Sequence, residues 1–330
     1  MPGPNPLQVL PSMSTDLERV ESGLLDSVRS GEDFLTEIAS HLISAGGKRV
    51  RPGFCIASAA TTATEDAPAP PEAVTGGVAV ELVHLGSLYH DDVMDEAETR
   101  RTVESVNSRW GNMRAILAGD FLLARASELA AGLGVEVAAL LAATIGRLCE
   151  GQLLELQFAH DANRDEQTYL RSIDGKTASL LASACRIGGI VTEAPTDHTE
   201  ALASFGHAYG MAFQMVDDVL DLVATEADLG KPAGHDLEEG IYTLPVITAM
   251  QGPDGDALRE MLASPLDEPT RRKAIDLVRS GDGIPYTIER ARREAARGRD
   301  ALESLPPSPG VTGLGAAADY LIDNVERASR

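Results

Sequence analysis

From Thr15 onward, apolar residues recur three and four positions apart, the spacing of one helix face. This predicts helices over 16–28 and 32–43. Gly46 and Gly47 break the second, and Pro52 suits the first turn of a third. The run DAPAPP, 66–71, ends that element. Long apolar-rich segments then predict helices over 72–95, 107–133, 135–158, 165–190 and 198–222. The segment 228–240 is marked by Gly and Pro and reads as a loop. Shorter helices follow over 242–250, 255–262, 268–280, 284–305 and 311–328. β-branched residues do not alternate with polar ones, and no hairpin-type Asn-Gly turn joins two strand-like runs. Heptads are not sustained, so the long helices do not predict a coiled coil. The expected class is all-α: one domain over 16–330, a helical bundle around a deep central cavity, after a disordered tail over 1–15.

Composition narrows the function. The chain has 330 residues, of which 43% are hydrophobic but only 4% aromatic, so the core is aliphatic. A net charge of -23 argues against a nucleic-acid partner and against an anionic membrane surface. An anionic substrate stays open, because bound cations can invert a local field. Three cysteines, Cys55, Cys149 and Cys185, show no CxxC spacing and make no disulfide framework, which fits a cytoplasmic location. No signal-type N-terminus and no run of 18 apolar residues is seen, so no transmembrane span is expected.

Two acidic clusters then carry the chemistry. Asp91, Asp92 and Asp95 form DDxxD, and Asp217, Asp218 and Asp221 repeat it. Positions four apart share a helix face. Each cluster sits near the C-terminal end of an apolar helix, the unfavourable end for anions. One such cluster is commonplace on an acidic surface. Two, each after an apolar helix, point to carboxylates offset by a cation. Hard oxygen ligands suggest Mg²⁺ bridging to a phosphorylated substrate. Basic residues gather beside them: Lys48, Arg49 and Arg51 in GGKRVRP, Arg100 and Arg101, Lys176 in DGKTASL, and Lys231 in LGKPAG. Guanidinium forks suit phosphate oxygens. Taken alone, GGKRVRP would read as a basic loop after a helix. His84 and His90, six apart, are poorly spaced as ligands and read as ordinary helix surface or core.

The motifs GGKRVRP, ELVHLGSLYHDDVMD, WGNMRAILAGDFLLA, DGKTASL, GMAFQMVDDVLDL, GKPAGHDL and YTLP occur in that order. In this the chain resembles the trans-isoprenyl (polyprenyl) diphosphate synthases, over roughly residues 46–245. The resemblance implies an allylic diphosphate bound through Mg²⁺, three ions per active site. Asp91, Asp95 and Asp217 would hold the metal, supported by Asp92, Asp218 and Asp221. Arg100, Lys176 and Lys231 would clamp the phosphates. Isopentenyl diphosphate would take a basic pocket of Lys48, Arg49, Arg51 and Arg101, with His84 contributing. Thr177 and Gln214 would line the reacting region, and Phe213 would face the prenyl chain. The implied assembly is a homodimer, with transient membrane contact as a greasy product leaves. Small residues before the first aspartate, Gly86, Ser87 and Val83, predict an open tunnel and a product of C20 or longer, C30 to C50.

Two departures stand out. The resemblance leads one to expect RRGxPT after the first cluster, but this chain has RRTVES, with Thr102 and Glu104. It also leads one to expect a lysine where Ile241 stands before YTLP. Rival readings are a class I terpene cyclase, a non-catalytic subunit of a heteromeric synthase, and an acidic helical scaffold.

Overall fold

The computed structural model describes residues 6–65, 67–223 and 234–329. Apart from one two-rung ladder, its regular structure is helical, and the all-α expectation holds. The first ten helices are α1 (Met13–Ser27), α2 (Asp33–Ser44), α3 (Val50–Ala59), α4 (Pro71–Met94), α5 (Val106–Trp110), α6 (Asn112–Gly132), α7 (Val135–Gln157), α8 (Glu166–Ile173), α9 (Ser179–Val191) and α10 (Thr196–Val223). Shorter and C-terminal helices follow, ending with Gly283–Leu302 and Pro309–Ala328.

Helix α10 lies at the centre. It packs against α9 on one side and Gly283–Leu302 on the other. Helix α4 packs against α6, α3, α9 and α1. The core between them is aliphatic, as composition predicts, with Phe54, Phe205 and Tyr209 as a small aromatic cluster. Helices α4 and α10 each end on one acidic cluster, so packing them into one bundle brings the clusters to one cavity.

Several local expectations are corrected. The tail is not disordered through residue 15: Leu7, Leu10 and Met13 are buried, and Pro6–Val9 packs against the C-terminal helix. Burial of three apolar side chains gives that segment a reason to order. The segment 107–133 is two helices, because Gly111 takes φ 89 between α5 and α6. The segment 165–190 is interrupted by a wide π-type turn, Asp174–Ala178. A small hairpin, β1 (Thr99–Arg100) with β2 (Val103–Glu104), occupies a stretch read as strand-free. Of the predicted loop 228–240, residues 228–233 lie outside the described residues, and His235–Glu238 forms one helical turn. Finally, α7 is long and apolar enough to cross a membrane by length and composition. It packs instead against α6, α8 and α9.

Candidate active site

The first cluster sits on the last turn of α4. Asp91 and Asp95 line a cavity of about 790 Å³. Asp92 turns away: it is fully buried, and Arg100 Nε donates to its Oδ1 at 2.7 Å. Its Oδ2 is buried without a hydrogen-bond partner. Arg100 comes from β1 and also lines the cavity, so the hairpin delivers a cation to the mouth of the site.

The second cluster is on α10. Asp217 and Asp218 line the same cavity. Asp221 does not. It is buried, and it anchors the chain after α10: its carbonyl accepts from Gly234 N at 2.9 Å. Asp218 ends a chain of hydrogen bonds. Thr177 Oγ1 donates to Gln214 Oε1 at 2.8 Å, Gln214 Nε2 donates to Asp218 Oδ1 at 2.9 Å, and the Tyr169 hydroxyl donates to Asp218 Oδ2 at 2.5 Å. Sequence reading missed Tyr169, which carries no motif of its own.

The π turn supplies Lys176 and Thr177. It lies so close to α7 that a Cβ on Gly151 would come within 2.4 Å of Lys176 N, and one on Gly175 within 2.7 Å of Arg147 O. Only glycines permit that approach. Lys176 Nζ then reaches Glu155 on α7, with Asp91 and Asp95 in its field. Glu155 lines the cavity and was also missed. Asp174, at the start of the turn, pairs with Arg147 at 2.6 Å and His207 at 2.5 Å.

A smaller basic pocket of about 330 Å³ adjoins. Lys48, Arg49, Arg51, His84, Arg101 and Phe213 are among its walls. Arg51 and His84 line both cavities and so join them. Glu81, on the same α4 face as His84, is the missed counter-ion: Arg49 pairs with it at 2.9 Å and Arg101 at 3.7 Å. Arg49 is buried and also grips Glu21 and the Ile43 carbonyl, so it frames the pocket. Arg101 donates to the carbonyls of Leu42 and Gly46. Arg51 Nε is buried with no acceptor, an orphan donor in a basic pocket.

Thr102 and Glu104 have definite places. Arg101 and Thr102 are the two central residues of the hairpin turn, at φ 53 and φ 64. Glu104 is exposed, and its Oε1 accepts from Ser108 Oγ at 3.2 Å, so it does not enter the basic pocket. Ser105 caps α5, its Oγ accepting from Ser108 N. Of the proposed tunnel wall, only Ser87 lines the main cavity. Val83 is core, and Gly86 faces α6, where an added Cβ would meet Gly119 O and Leu123 at 3.1 Å. Phe213 lines the basic pocket rather than the main cavity. Lys231 lies outside the described residues.

Electrostatics follow burial. Desolvation pushes the Asp91 carboxyl up to about 6, against the pull of Lys176, with Asp95 adding to it. Burial pushes Asp218 up to about 7, despite its bonds to Tyr169 and Gln214. His84 is held well below its usual value by burial and then by Arg51 and Arg101, so it stays neutral. Such shifts come from burial and like charges, and they cluster at functional sites.

The donor set fits a hard divalent cation: all-oxygen carboxylates on two facing walls, destabilised as anions while alone. Among the described residues no three acidic or His/Cys groups converge tightly enough to hold an ion by themselves. An ion here would need further ligands, and Mg²⁺ commonly takes waters and substrate phosphates beside one or two carboxylates.

A family model, polyprenyl synthetase, matches residues 32–278. The chain belongs to this family. It is a polyprenyl diphosphate synthase, a prenyltransferase. A nonaprenyl diphosphate synthase of Mycobacterium tuberculosis is 38% identical over 92% of this chain and 91% of its own length. The crystal structure of a decaprenyl diphosphate synthase from Rhodobacter capsulatus superposes with a TM-score of 0.88 at 33% identity, covering 96% of this chain and 98% of that one. A Caulobacter crescentus polyprenyl synthase, described as complexed with calcium and isoprenyl diphosphate, has a TM-score of 0.88 at 31% identity, covering 95% and 96%. The polyprenyl synthetase assignment sets aside the terpene-cyclase and scaffold readings.

Proposed function

We propose that this synthase condenses isopentenyl diphosphate with an allylic diphosphate, head to tail and in trans, to give a polyprenyl diphosphate of C20 or more, in the C30 to C50 range. The observation that carries this reading is the pair of adjoining cavities. One has carboxylates on two walls, the other is basic, and Arg51 and His84 stand between them.

Asp91, Asp95, Asp217 and Asp218 would hold Mg²⁺, which when bound supplies positive charge to the leaving diphosphate. Asp92 supports the site by fixing Arg100. Lys176 and Arg100 stabilise the charge that builds on the allylic diphosphate as its C–O bond breaks. Lys231 is assigned to the same task. Lys48, Arg51 and Arg101 bind isopentenyl diphosphate, Arg49 holds the pocket wall, and neutral His84 lies where the two substrates approach. The double bond of isopentenyl diphosphate attacks the allylic cation, and the departed diphosphate takes the proton whose loss completes the five-carbon extension. Gln214 and Thr177 orient Asp218 toward the cavity. Leu88, Leu148 and Ile173 give the cavity apolar wall that keeps water from the cation.

The enzyme would act in the cytoplasm as a homodimer, with transient membrane contact at product release. Supporting a dimer, α7 exposes a stripe of small residues, Ala139, Ala142, Ala143 and Gly146, and α6 exposes Met113 and Leu117. Incubation of the purified chain with Mg²⁺, labelled isopentenyl diphosphate and geranyl, farnesyl or geranylgeranyl diphosphate in turn tests the reading. Elongated products are expected. No elongation by the chain alone would favour the non-catalytic subunit of a heteromeric synthase.

A further inference from the structure

Arg164 precedes α8 and belongs to none of the recurring family motifs. Its side chain is buried, with 3% of the residue exposed, yet it lines the main cavity together with Asp217, Asp218 and Ile241. Nη1 donates to the Tyr242 carbonyl at 3.3 Å and Nη2 to Ser172 Oγ at 2.5 Å. Its Nε is buried without an acceptor. The guanidinium carbon lies 5.8 Å from the centre of the Tyr169 ring.

A guanidinium cannot shed its proton to escape burial, as a lysine can. A buried cation without a paired anion is costly, so structures seldom keep one unless an anion arrives. Arg164 makes no ion pair with any carboxylate among the described residues. The acidic groups in its field, Glu155 and Asp218, already accept from other donors: Lys176, Tyr169 and Gln214. Both Nη atoms are held by neutral oxygens, which fixes the charge in place without offsetting it. Next to Tyr242 stands neutral Ile241, on the same cavity wall, where a lysine would be expected.

We infer that Arg164 is a further substrate-facing cation of this cavity, placed to offset the diphosphate of the allylic substrate from the wall where Ile241 supplies no cation. The inference rests on the proposed prenyl transfer. The allylic diphosphate, not isopentenyl diphosphate, is its target, because Arg164 lines the carboxylate cavity and not the basic pocket.

The test is steady-state kinetics of the full chain with Mg²⁺, isopentenyl diphosphate and farnesyl diphosphate, with inhibition by inorganic pyrophosphate and thermal unfolding measured alongside. Arg164→Met should raise the farnesyl diphosphate KM and the pyrophosphate inhibition constant roughly tenfold or more, the scale of a lost charge-assisted contact. The KM for isopentenyl diphosphate should move far less. Arg164→Lys should recover most of the loss. Adding Ile241→Lys to Arg164→Met should restore pyrophosphate affinity, while Ile241→Met should not. A brace that merely ties Ser172 to Tyr242 would lose stability and would not be rescued by a charge at 241. Kinetics of Arg164→Met like wild type, equal losses for both substrates, or failure of Ile241→Lys to rescue would each overturn the inference. Should Arg164→Met not fold, Ile241→Lys in the Arg164→Lys background decides: tighter pyrophosphate binding is expected, and unchanged binding overturns it. A wild-type chain that elongates nothing would instead sink the proposed function.

Discussion

At the scale of single residues, the break in the RRGxPT pattern is a backbone matter. Thr102 is β-branched, and at φ 64 its Cβ crowds the neighbouring peptide, which costs about 1 kcal/mol or more. The turn nonetheless places Arg100 on Asp92 and Arg101 on the Gly46 and Leu42 carbonyls. Thr102→Gly should therefore stabilise the protein by about 1 kcal/mol, read as a higher denaturant midpoint at unchanged slope. An unchanged or lower midpoint would show that the turn is not strained. The tunnel residues divide in the same way. Sequence placed Gly86 and Ser87 together before the aspartates, but a helix turns about 100° per residue, so adjacent positions face different neighbours. Ser87→Phe should fill the cavity wall and shorten the product, checked by chain-length analysis. Gly86→Phe should instead force α4 from α6 and destabilise the fold by about 1–3 kcal/mol or more. If Ser87→Phe leaves the product profile unchanged, Ser87 is not the tunnel wall. The pattern of charges was legible in sequence; which face each residue took was not, because that depends on distant neighbours such as Gly119 and Leu123.

At the scale of elements, α8, the π turn and α9 read as one helix in sequence because their apolar spacing is nearly continuous. The extra residue in the turn is needed where Gly151 and Gly175 meet, a long-range contact that no local pattern encodes. The consequence is chemical, since the turn carries Lys176 and Thr177 and so starts the hydrogen-bond chain to Asp218. The DGKTASL and QMVDD motifs were legible, but Tyr169, which completes the chain from α8, was not. Its hydroxyl favours the ionised Asp218, whose carboxyl burial has pushed up to about 7. Tyr169→Phe removes that bond and pushes the carboxyl higher still, so fewer molecules are ionised at neutral pH. The acid limb of the kcat/KM profile should therefore shift to higher pH. An acid limb at the wild-type position would separate Tyr169 from the function of Asp218.

At the scale of the molecule, burial makes the carboxylates of the site costly to ionise, and a bound cation would offset that cost. Asp91 and Asp218 have folded-state values of about 6 and about 7, above the ordinary carboxylate range. Between that range and pH about 7, the folded chain holds protons that the unfolded chain would release, so their contribution to stability falls as pH rises through this window. Cation binding needs the carboxylates ionised and so expels the protons. After subtraction of the protons released when Mg²⁺ and inorganic pyrophosphate combine in free solution, their binding to the protein should thus show net proton release near pH 6.5 and far less near pH 8.5, and apparent affinity should drop as pH falls through about 7. Calorimetry in buffers of different ionisation enthalpy measures this, and equal proton release at both pH values would contradict it. Mg²⁺ alone should bind weakly, since no three carboxylates converge among the described residues. Helix α7 is apolar enough to suggest a membrane span, yet its composition is explained if a second copy covers the small-residue stripe. Small side chains let two helices approach closely, and Met113 and Leu117, 79% and 63% exposed, add apolar surface on the neighbouring α6. Ala142→Glu places a charge in the middle of that stripe. Light scattering should show a dimer for wild type and a monomer for Ala142→Glu, with helical content retained. A wild-type chain that stays monomeric at micromolar concentration would leave α7 uncovered and remove the homodimer from the proposed function.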